Sequence, residues 1–273
     1  MIYRGGLILL LAVELFGGAP AFALGSLPFS PSSFPNPLSI ISDTVLSGVI
    51  KGLGVTTDHR AYEPASPMGT RGFDLSIEAT LSQFPSDFSK ALSSVGVTGA
   101  SSLPFMPVPR INIHKGISDV MDAGLSFITY GNSFRIMGFE LKGVIYQPEE
   151  APLWALRLSY TDASFNVGSD ILFGISIKTI SPQLVVSRQL EFAEPYIGMG
   201  YQYVIGTINV IVPLPAPSPI PSVTDSATGR GSSFQAFTGV SFRVVPLGLR
   251  LTLEGSYSLS GANSLGTKVG FNF

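Results

Sequence analysis

From residue 71 to the C-terminus, apolar and polar residues alternate with a period of two, and this constrains the fold more than any other feature of the sequence. In the stretch that begins at Phe73, the odd positions are apolar and the even positions carry Asp74, Ser76, Glu78 and Thr80. A β-strand places alternate side chains on opposite faces, so each such stretch predicts a strand with one apolar face and one polar face. The same pattern recurs at 110–115, 121–130, 134–146, 153–163, 177–189, 195–205, 234–244, 249–259 and 265–273.

The low charge of the chain indicates which solvent the apolar faces meet. Only 12% of its residues are charged, against roughly 25% in average soluble domains. Beyond the N-terminus there is no apolar run of the ~20 residues that a spanning helix needs. Because lipid admits only helices and closed barrels, the sequence predicts an all-β fold, a transmembrane antiparallel up-and-down barrel. We expect about ten strands, within a range of roughly 8–12, over residues 71–273.

The lengths of the connections agree with this fold. With the start of the first strand at the periplasmic side, the periplasmic turns fall at 116–119, 148–152, 190–194 and 245–248, and all are short. The connections at the other end include 83–109, 162–176 and 206–233, which are long. Short periplasmic turns and long outer loops are typical of outer-membrane barrels.

The N-terminal part of the chain predicts export. Residues 1–23 read as a secretory signal peptide, with Arg4 before an apolar stretch and a cleavage site formed by Ala21 and Ala23. An uncleaved membrane anchor is disfavoured because the apolar stretch is too short. Residues 24–70 are interpreted as a periplasmic segment that carries an amphipathic helix at 38–53.

Together these features resemble the small outer-membrane β-barrel proteins of Gram-negative bacteria. The resemblance rests on the signal peptide, the alternating strands and the final strand at 265–273, LGTKVGFNF. It implies residence in outer-membrane lipid and contact with periplasmic chaperones and the barrel-assembly machinery, which reads Phe271 and Phe273 as an assembly signal. Residues 24–70 are also similar, in position and length only, to the plug of FadL-type transporters, whose barrels are larger.

Several functional classes are disfavoured by composition. The net charge of −2 does not suit nucleic-acid binding, and the absence of cysteine removes thiolate chemistry. The only histidines, His59 and His114, show neither HxH nor HExxH spacing, so we expect no metal site, no cofactor and no catalytic activity. The pair His114 and Asp122, across a predicted turn, is the remaining catalytic option.

The polar faces of the strands carry charges of both signs. Mixed signs indicate an ion-pair network more than a selective channel, which would show one sign. We expect Glu254 and Lys268 to lie opposite each other across the last hairpin, at equal distances from Gly261. The predicted lumen-lining residues are Asp74, Glu78, Arg110, His114, Glu140, Lys142, Arg157, Arg243, Arg250, Glu254 and Lys268.

Two functional hypotheses follow. The first is a passive, porin-like conduit or binding barrel for small, apolar molecules, with the apolar loop 83–109 as its entrance and helix 38–53 as its stopper. The second is a structural or surface-interaction barrel without transport. Helix 38–53 either plugs the lumen or docks beneath the barrel at the membrane surface, since an isolated helix of this length is marginal in water. The apolar loop and the separate helix favour the first hypothesis, whereas the sequence leaves the position of the helix open.

The signal peptide yields the first prediction. We expect the mature protein to begin at Leu24, because Ala21 and Ala23 form a small-residue cleavage site. Intact mass or N-terminal sequencing of protein extracted from the envelope checks this. A mass that retains Arg4 would contradict it.

Overall fold

The computed structural model describes residues 43–94, 105–130, 134–149, 152–167, 172–213, 222–244 and 248–273. The expected signal peptide at 1–23 and the residues up to 42 lie outside this part of the chain. None of the described helices is long and apolar enough to cross a membrane.

The strands form one closed antiparallel barrel in sequence order, which β1 and β10 close by pairing with each other. This confirms the predicted all-β, up-and-down fold with ten strands. The strands are β1 (Phe73–Gln83), β2 (Phe105–Gly116), β3 (Met121–Tyr130), β4 (Phe134–Tyr146), β5 (Leu153–Val167), β6 (Leu172–Ser187), β7 (Ala193–Pro213), β8 (Ser222–Val244), β9 (Leu249–Ser258) and β10 (Ser264–Asn272).

The two faces of the wall have opposite polarity. On β1, the side chains of Asp74, Ser76 and Glu78 point inward and are at most 2% exposed, whereas Leu75 points outward and is 43% exposed. Large apolar side chains cover the outside all around the barrel, whereas the middle of the interior is lined by polar and charged side chains and each end of the interior holds an apolar cluster. We call the end where β1 begins and β10 ends the termini end, and the opposite end the loop end.

Two strands are much longer than the sequence pattern indicated. β7 has 21 residues and β8 has 23, whereas a tilted strand crosses a membrane in about 9–11. Much of the predicted loop 206–233 is therefore strand. Similarly, β5 and β6 extend into the predicted loop 162–176. Pairing beyond the lipid needs backbone hydrogen bonds but no apolar face, so these extensions carry no strong alternation.

Two helices accompany the barrel, α1 (Asp43–Thr56) and α2 (Ser86–Ser94). The helix expected at 38–53 continues to Thr56, so Gly52 and Gly54 do not end it. Instead, both glycines lie where α1 packs closest to its neighbours. A Cβ atom would overlap Phe88 of α2 at Gly52 and the side chain of Val204 on β7 at Gly54.

Helix α1 lies at the loop end, inside the rim of the barrel. It packs on α2, β6, β7 and β8. Many of the wall residues next to it are near the strand ends that are joined by the connections from an odd-numbered to the following even-numbered strand. These connections are at the loop end, so the helix lies there too. The apolar cluster there contains Leu46, Val49, Ile50, Leu53, Val55, Phe88, Met106, Val108, Phe134, Ile136, Ala163, Phe165, Ile175, Ile177, Val204, Ile208 and Ala262.

Residues 57–70, which we call the plug segment, run from α1 down the interior of the barrel to the start of β1. The sequence analysis left open whether the N-terminal segment plugs the lumen or docks beneath the barrel, and the structure places most of its described part, residues 43–70, within the barrel. The reason is that Ala65 joins a second apolar cluster near the termini end with Leu153, Val185, Tyr196 and Phe237. Charged side chains fill the space between the two clusters.

The division of the wall into two faces yields a prediction about stability. Leu253 lies in the middle of β9 and is 45% exposed on the outer face. We expect Leu253→Arg to lower the free energy of unfolding by about 2–4 kcal/mol, because it places a charge at mid-membrane. Leu259→Arg, in the turn after β9 at the loop end, is the control, with an expected cost of about 0–1 kcal/mol. Refolding midpoints in bilayers measure both, and equal midpoints would contradict the assigned faces.

Candidate functional site in the barrel interior

The interior of the barrel is occupied by the chain itself. Every residue from Gly52 to Ser66 is buried, although the chain beyond Thr56 has no regular secondary structure. Irregular backbone is tolerated at membrane depth only where protein surrounds it or water fills a cavity. The plug segment therefore needs partners from the wall for its backbone groups.

Side chains of the wall supply those partners. Arg110 donates to the carbonyl oxygens of Thr57 and Asp58, at 2.5 and 3.0 Å. The amide of His59 donates to the Thr161 hydroxyl at 2.8 Å. Arg157 donates to the carbonyl of Glu63 at 2.5 Å. These bonds replace the ladder that a strand or helix would provide.

Asp58 holds the part of the plug segment that follows α1. Its carboxylate accepts a hydrogen bond from the Gln202 amide at 2.7 Å and another from the Thr161 hydroxyl at 3.2 Å. The adjacent Arg110 forms an ion pair with Glu78 on the neighbouring strand, with 3.2 Å between nitrogen and oxygen. The wall thus binds both the side chain of Asp58 and the backbone of the plug segment.

Glu63 is the centre of the charge network. Its carboxylate lies 2.8 Å from the ammonium of Lys268 and 3.3 Å from that of Lys142. Each lysine also contacts a wall carboxylate at 3.0 Å, Lys268 that of Asp74 and Lys142 that of Asp122. Buried charges are tolerated only when they are paired in this way.

Tyr62 shows how closely the plug segment fits the wall. It is the one non-glycine residue in the described part of the chain with a positive φ, 48°, a conformation that the surrounding structure must hold in place. Its hydroxyl lies 2.6 Å from that of Thr80. A Cβ at Gly266 would overlap the ring, so this glycine makes room for it. Beside it, Arg60 donates to the Ser256 hydroxyl.

At the termini end, Glu194 anchors the last part of the plug segment. It accepts hydrogen bonds from the hydroxyls of Ser66 at 2.7 Å and Ser187 at 2.6 Å. Arg243 forms an ion pair with the same carboxylate at 3.0 Å. The plug segment is therefore held at both ends and at its centre.

The predicted lumen-lining residues mostly meet in this network. All of them are buried inside the barrel except Arg243, whose side chain is 42% exposed at the termini end. The predicted pairing of Glu254 with Lys268 is wrong. Lys268 lies opposite Thr252, and Glu254 lies opposite Gly266, because the hairpin is not centred on Gly261.

Several members of the network were missed by the sequence analysis. Asp58, Arg60 and Glu63 lie in the plug segment, and Glu194 comes from the wall, as does Asp122, which the sequence analysis named only as a catalytic option with His114. A signal for the first three exists in the sequence, since residues 58–63 hold three charged residues, Asp58, Arg60 and Glu63, within a chain that has few. An exposed linker would carry the same charges, so only the structure shows that these residues are buried in the lumen.

The two predicted assembly residues lie on the final strand. Phe271 pairs with Leu75 across the seam that closes the barrel. The backbone amide of Phe273 donates to the carbonyl of Phe73 at 2.8 Å, and its ring is 75% exposed. The geometry leaves the ring accessible to lipid, and its role as an assembly signal stays a prediction.

A closed barrel with an apolar exterior and an ion-paired interior is the inverse of a soluble protein. This polarity and the ten-strand closure define the chain as a transmembrane β-barrel of the Gram-negative outer-membrane class. No protein-family model matches the sequence, and no curated protein matches it significantly.

The solved structures similar to this chain include Gram-negative outer-membrane β-barrels. Ail of Yersinia pestis is 13% identical, with 74% of this chain and 98% of that chain covered and a TM-score of 0.31. The Neisserial surface protein A is 12% identical, with coverages of 74% and 97% and a TM-score of 0.31. The β domain of the Bordetella autotransporter BrkA is 15% identical, with coverages of 74% and 99% and a TM-score of 0.34. These low similarities do not assign the chain to a family.

The position of Glu63 yields a prediction. Glu63→Gln removes the charge shared by Lys142 and Lys268 while keeping the shape of the side chain. We expect the free energy of unfolding to fall by about 3 kcal/mol, the low end for a broken buried ion pair. The expected loss of stability is at the low end of the range because each lysine keeps its ion pair with a carboxylate of the wall.

Urea unfolding of the barrel in bilayers measures this loss. The matched control is Glu149→Gln, an exposed glutamate beside the β4–β5 turn, for which we expect a change within about 0.5 kcal/mol. If both variants unfold at the midpoint of the unmodified protein, Glu63 does not stabilise the plugged state.

Proposed function

We propose that this protein is a sealed outer-membrane barrel, a surface-interaction scaffold without transport activity. The observation that carries this proposal is the unbroken burial of the chain from Gly52 to Ser66 inside the barrel. A pore that conducts small molecules needs a continuous aqueous or apolar path, and here the plug segment occupies the middle of the lumen. Of the two hypotheses drawn from the sequence, this geometry favours the second.

A conduit for small apolar molecules would require the plug segment to move. Its departure would separate Glu63 from Lys142 and Lys268 and would free Asp58 from Gln202. The wall exposed in this way is lined by charges, which offer an apolar solute no favourable contact. Both considerations argue against passage of apolar molecules through the centre of the barrel.

The predicted entrance loop has a different arrangement from the one a conduit needs. Within residues 83–109, Phe88 of α2 is buried against Gly52 of α1, and its ring stacks on that of Phe84 at 4.7 Å. These two rings pack over the loop end and close it instead of opening it. We call the unit formed by α1 and α2 the cap.

The cap presents a structured surface at the loop end, which faces the exterior in barrels of this class. A groove of about 450 Å³ lies between α1, α2 and β8. Lys51, Lys90 and Arg230 line it together with a single carboxylate, that of Asp87. Such a cationic surface suits contact with a partner that carries anionic groups.

Single-channel recording tests the proposal. We expect the unmodified protein to show no steady conductance in planar bilayers, and a variant that lacks residues 24–70 to conduct, because the lumen charges would then face water. Removal of residues 24–42 alone is the control, since it leaves the plug segment in place and is expected to stay silent. Liposome uptake of an apolar solute is measured in parallel.

The outcome separates the two functions. Conductance or solute uptake by the unmodified protein, equal to that of the 24–70 deletion, would overturn the sealed-barrel proposal. Heat-modifiable electrophoretic mobility shows whether each variant has folded. A point variant, Asp58→Ala, gives a second test of plug release if the deletion does not fold.

A further inference from the structure

We infer that His59, His114 and Glu140 form a binding site for a divalent transition-metal ion of the zinc class, which links the plug segment to the barrel wall. One ligand atom from each residue lies within 4.8 Å of the others. His59 belongs to the plug segment, whereas His114 and Glu140 belong to β2 and β4. This inference is independent of the proposed function.

The wall supplies two of the ligands through a gap in one row of side chains. His114 pairs with Gly124 on β3, and Gly124 pairs with Glu140 on β4, so the three residues lie side by side across three strands. A Cβ at Gly124 would overlap Cδ2 and Nε2 of the His114 ring. The absence of a side chain there lets the ring extend over the glycine toward Glu140.

The plug segment supplies the third ligand in the same manner. The His59 ring lies over Gly138, where a Cβ would contact its Nδ1 atom. Its Nε2 atom lies 3.3 Å from Oε2 of Glu140. Two glycines on adjacent strands thus make room for two imidazoles that approach one carboxylate.

The atoms that face this centre make no hydrogen bond of regular geometry. Nε2 of His59, Nε2 of His114 and Oε2 of Glu140 are all buried and unsatisfied in this sense, although the first and the third lie 3.3 Å apart. Buried polar atoms are normally satisfied, and each exception requires an explanation. Three such atoms on three neighbouring residues are explained together by one shared ion.

One edge of the site has the length expected between two ligands of a tetrahedral metal. Bonds of 2.0–2.1 Å place two ligand atoms of a tetrahedral zinc about 3.3 Å apart, which matches the separation between His59 Nε2 and Glu140 Oε2. Two imidazoles and one carboxylate, with a fourth position left for water, form a common zinc ligand set. Imidazole ligands favour zinc, copper or nickel over calcium and magnesium.

The remaining polar atoms of the ligands are held from behind. Nδ1 of His59 lies 2.8 Å from the hydroxyl of Ser126. Nδ1 of His114 lies 3.4 Å from the carboxylate of Glu63 and 3.3 Å from the ammonium of Lys268, and metal binding at Nε2 requires that the ring proton is on Nδ1 and is donated to Glu63. Oε1 of Glu140 lies 3.6 Å from Nε of Arg157. Outer contacts of this kind orient the ligands in metal sites.

A neighbouring group of ligands does not qualify. Glu63, Asp74 and His114 also lie within 4.8 Å of one another. However, the ammonium of Lys268 already lies among them, at 2.8 Å from Glu63, 3.0 Å from Asp74 and 3.3 Å from His114. A second cation there would meet strong repulsion, so the site is the one on the other side of the His114 ring.

To test the inference, the full chain is extracted from the outer membrane in detergent and its metal is removed with a chelator. The binding of zinc and of cobalt(II) to this protein is then measured. We expect one zinc ion per chain by elemental analysis, and visible absorption typical of tetrahedral coordination after refolding with cobalt(II). His114→Ala and Glu140→Gln should each lose the bound ion. Ser126→Ala should weaken zinc binding by about 10–100-fold, the usual effect of losing an outer contact.

The matched control is Gln235→Ala, which alters another buried polar side chain of the lumen and should keep one zinc ion per chain. Bound zinc should also raise the melting temperature of the unmodified protein and of this control, and should leave that of His114→Ala unchanged. Absence of a one-to-one complex would overturn the inference. A zinc ion that remains in both His114→Ala and Glu140→Gln would also overturn the inference, because it would be bound at another place. Heat-modifiable mobility identifies folded variants, and His59→Gln serves if a wall variant fails to fold.

Discussion

Charges can be buried inside this barrel because the wall and the plug segment carry opposite signs at the same depth. Glu63 on the plug segment lies between Lys142 and Lys268 on the wall, and each lysine has a second carboxylate partner. Without the plug segment, the wall charges would require water to fill the lumen. The closed interior and the buried irregular backbone of the plug segment depend on this pairing.

The wall is adapted to the plug segment by small residues as much as by charge. Gly266 makes room for the ring of Tyr62, Gly124 for His114 and Gly138 for His59. Each glycine faces inward on a strand, where a larger side chain would otherwise fill the lumen. A barrel of about eight strands is just filled by its own side chains, and here ten strands with inward glycines leave the width of one further chain.

The sequence analysis was right where a local pattern has one physical cause. Alternation on β1 placed Asp74 and Glu78 inside and Leu75 outside, since a strand in lipid has no other stable arrangement. It was wrong for the register of the last hairpin, where Glu254 and Lys268 do not face each other. The register depends on how the turn closes, and the position of Gly261 alone does not determine it.

The sequence by itself determined that this chain crosses a membrane as a closed barrel. Low charge and period-two alternation, without a spanning helix, are compatible with lipid only in that fold. Only the tertiary structure decided that residues 57–70 fill the lumen and that α1 lies at the loop end. The physical reason is that His59, Glu63 and their partners on β2, β4 and β10 are far apart along the chain. No periodicity records contacts of that kind, and they arise only when the barrel closes around the segment.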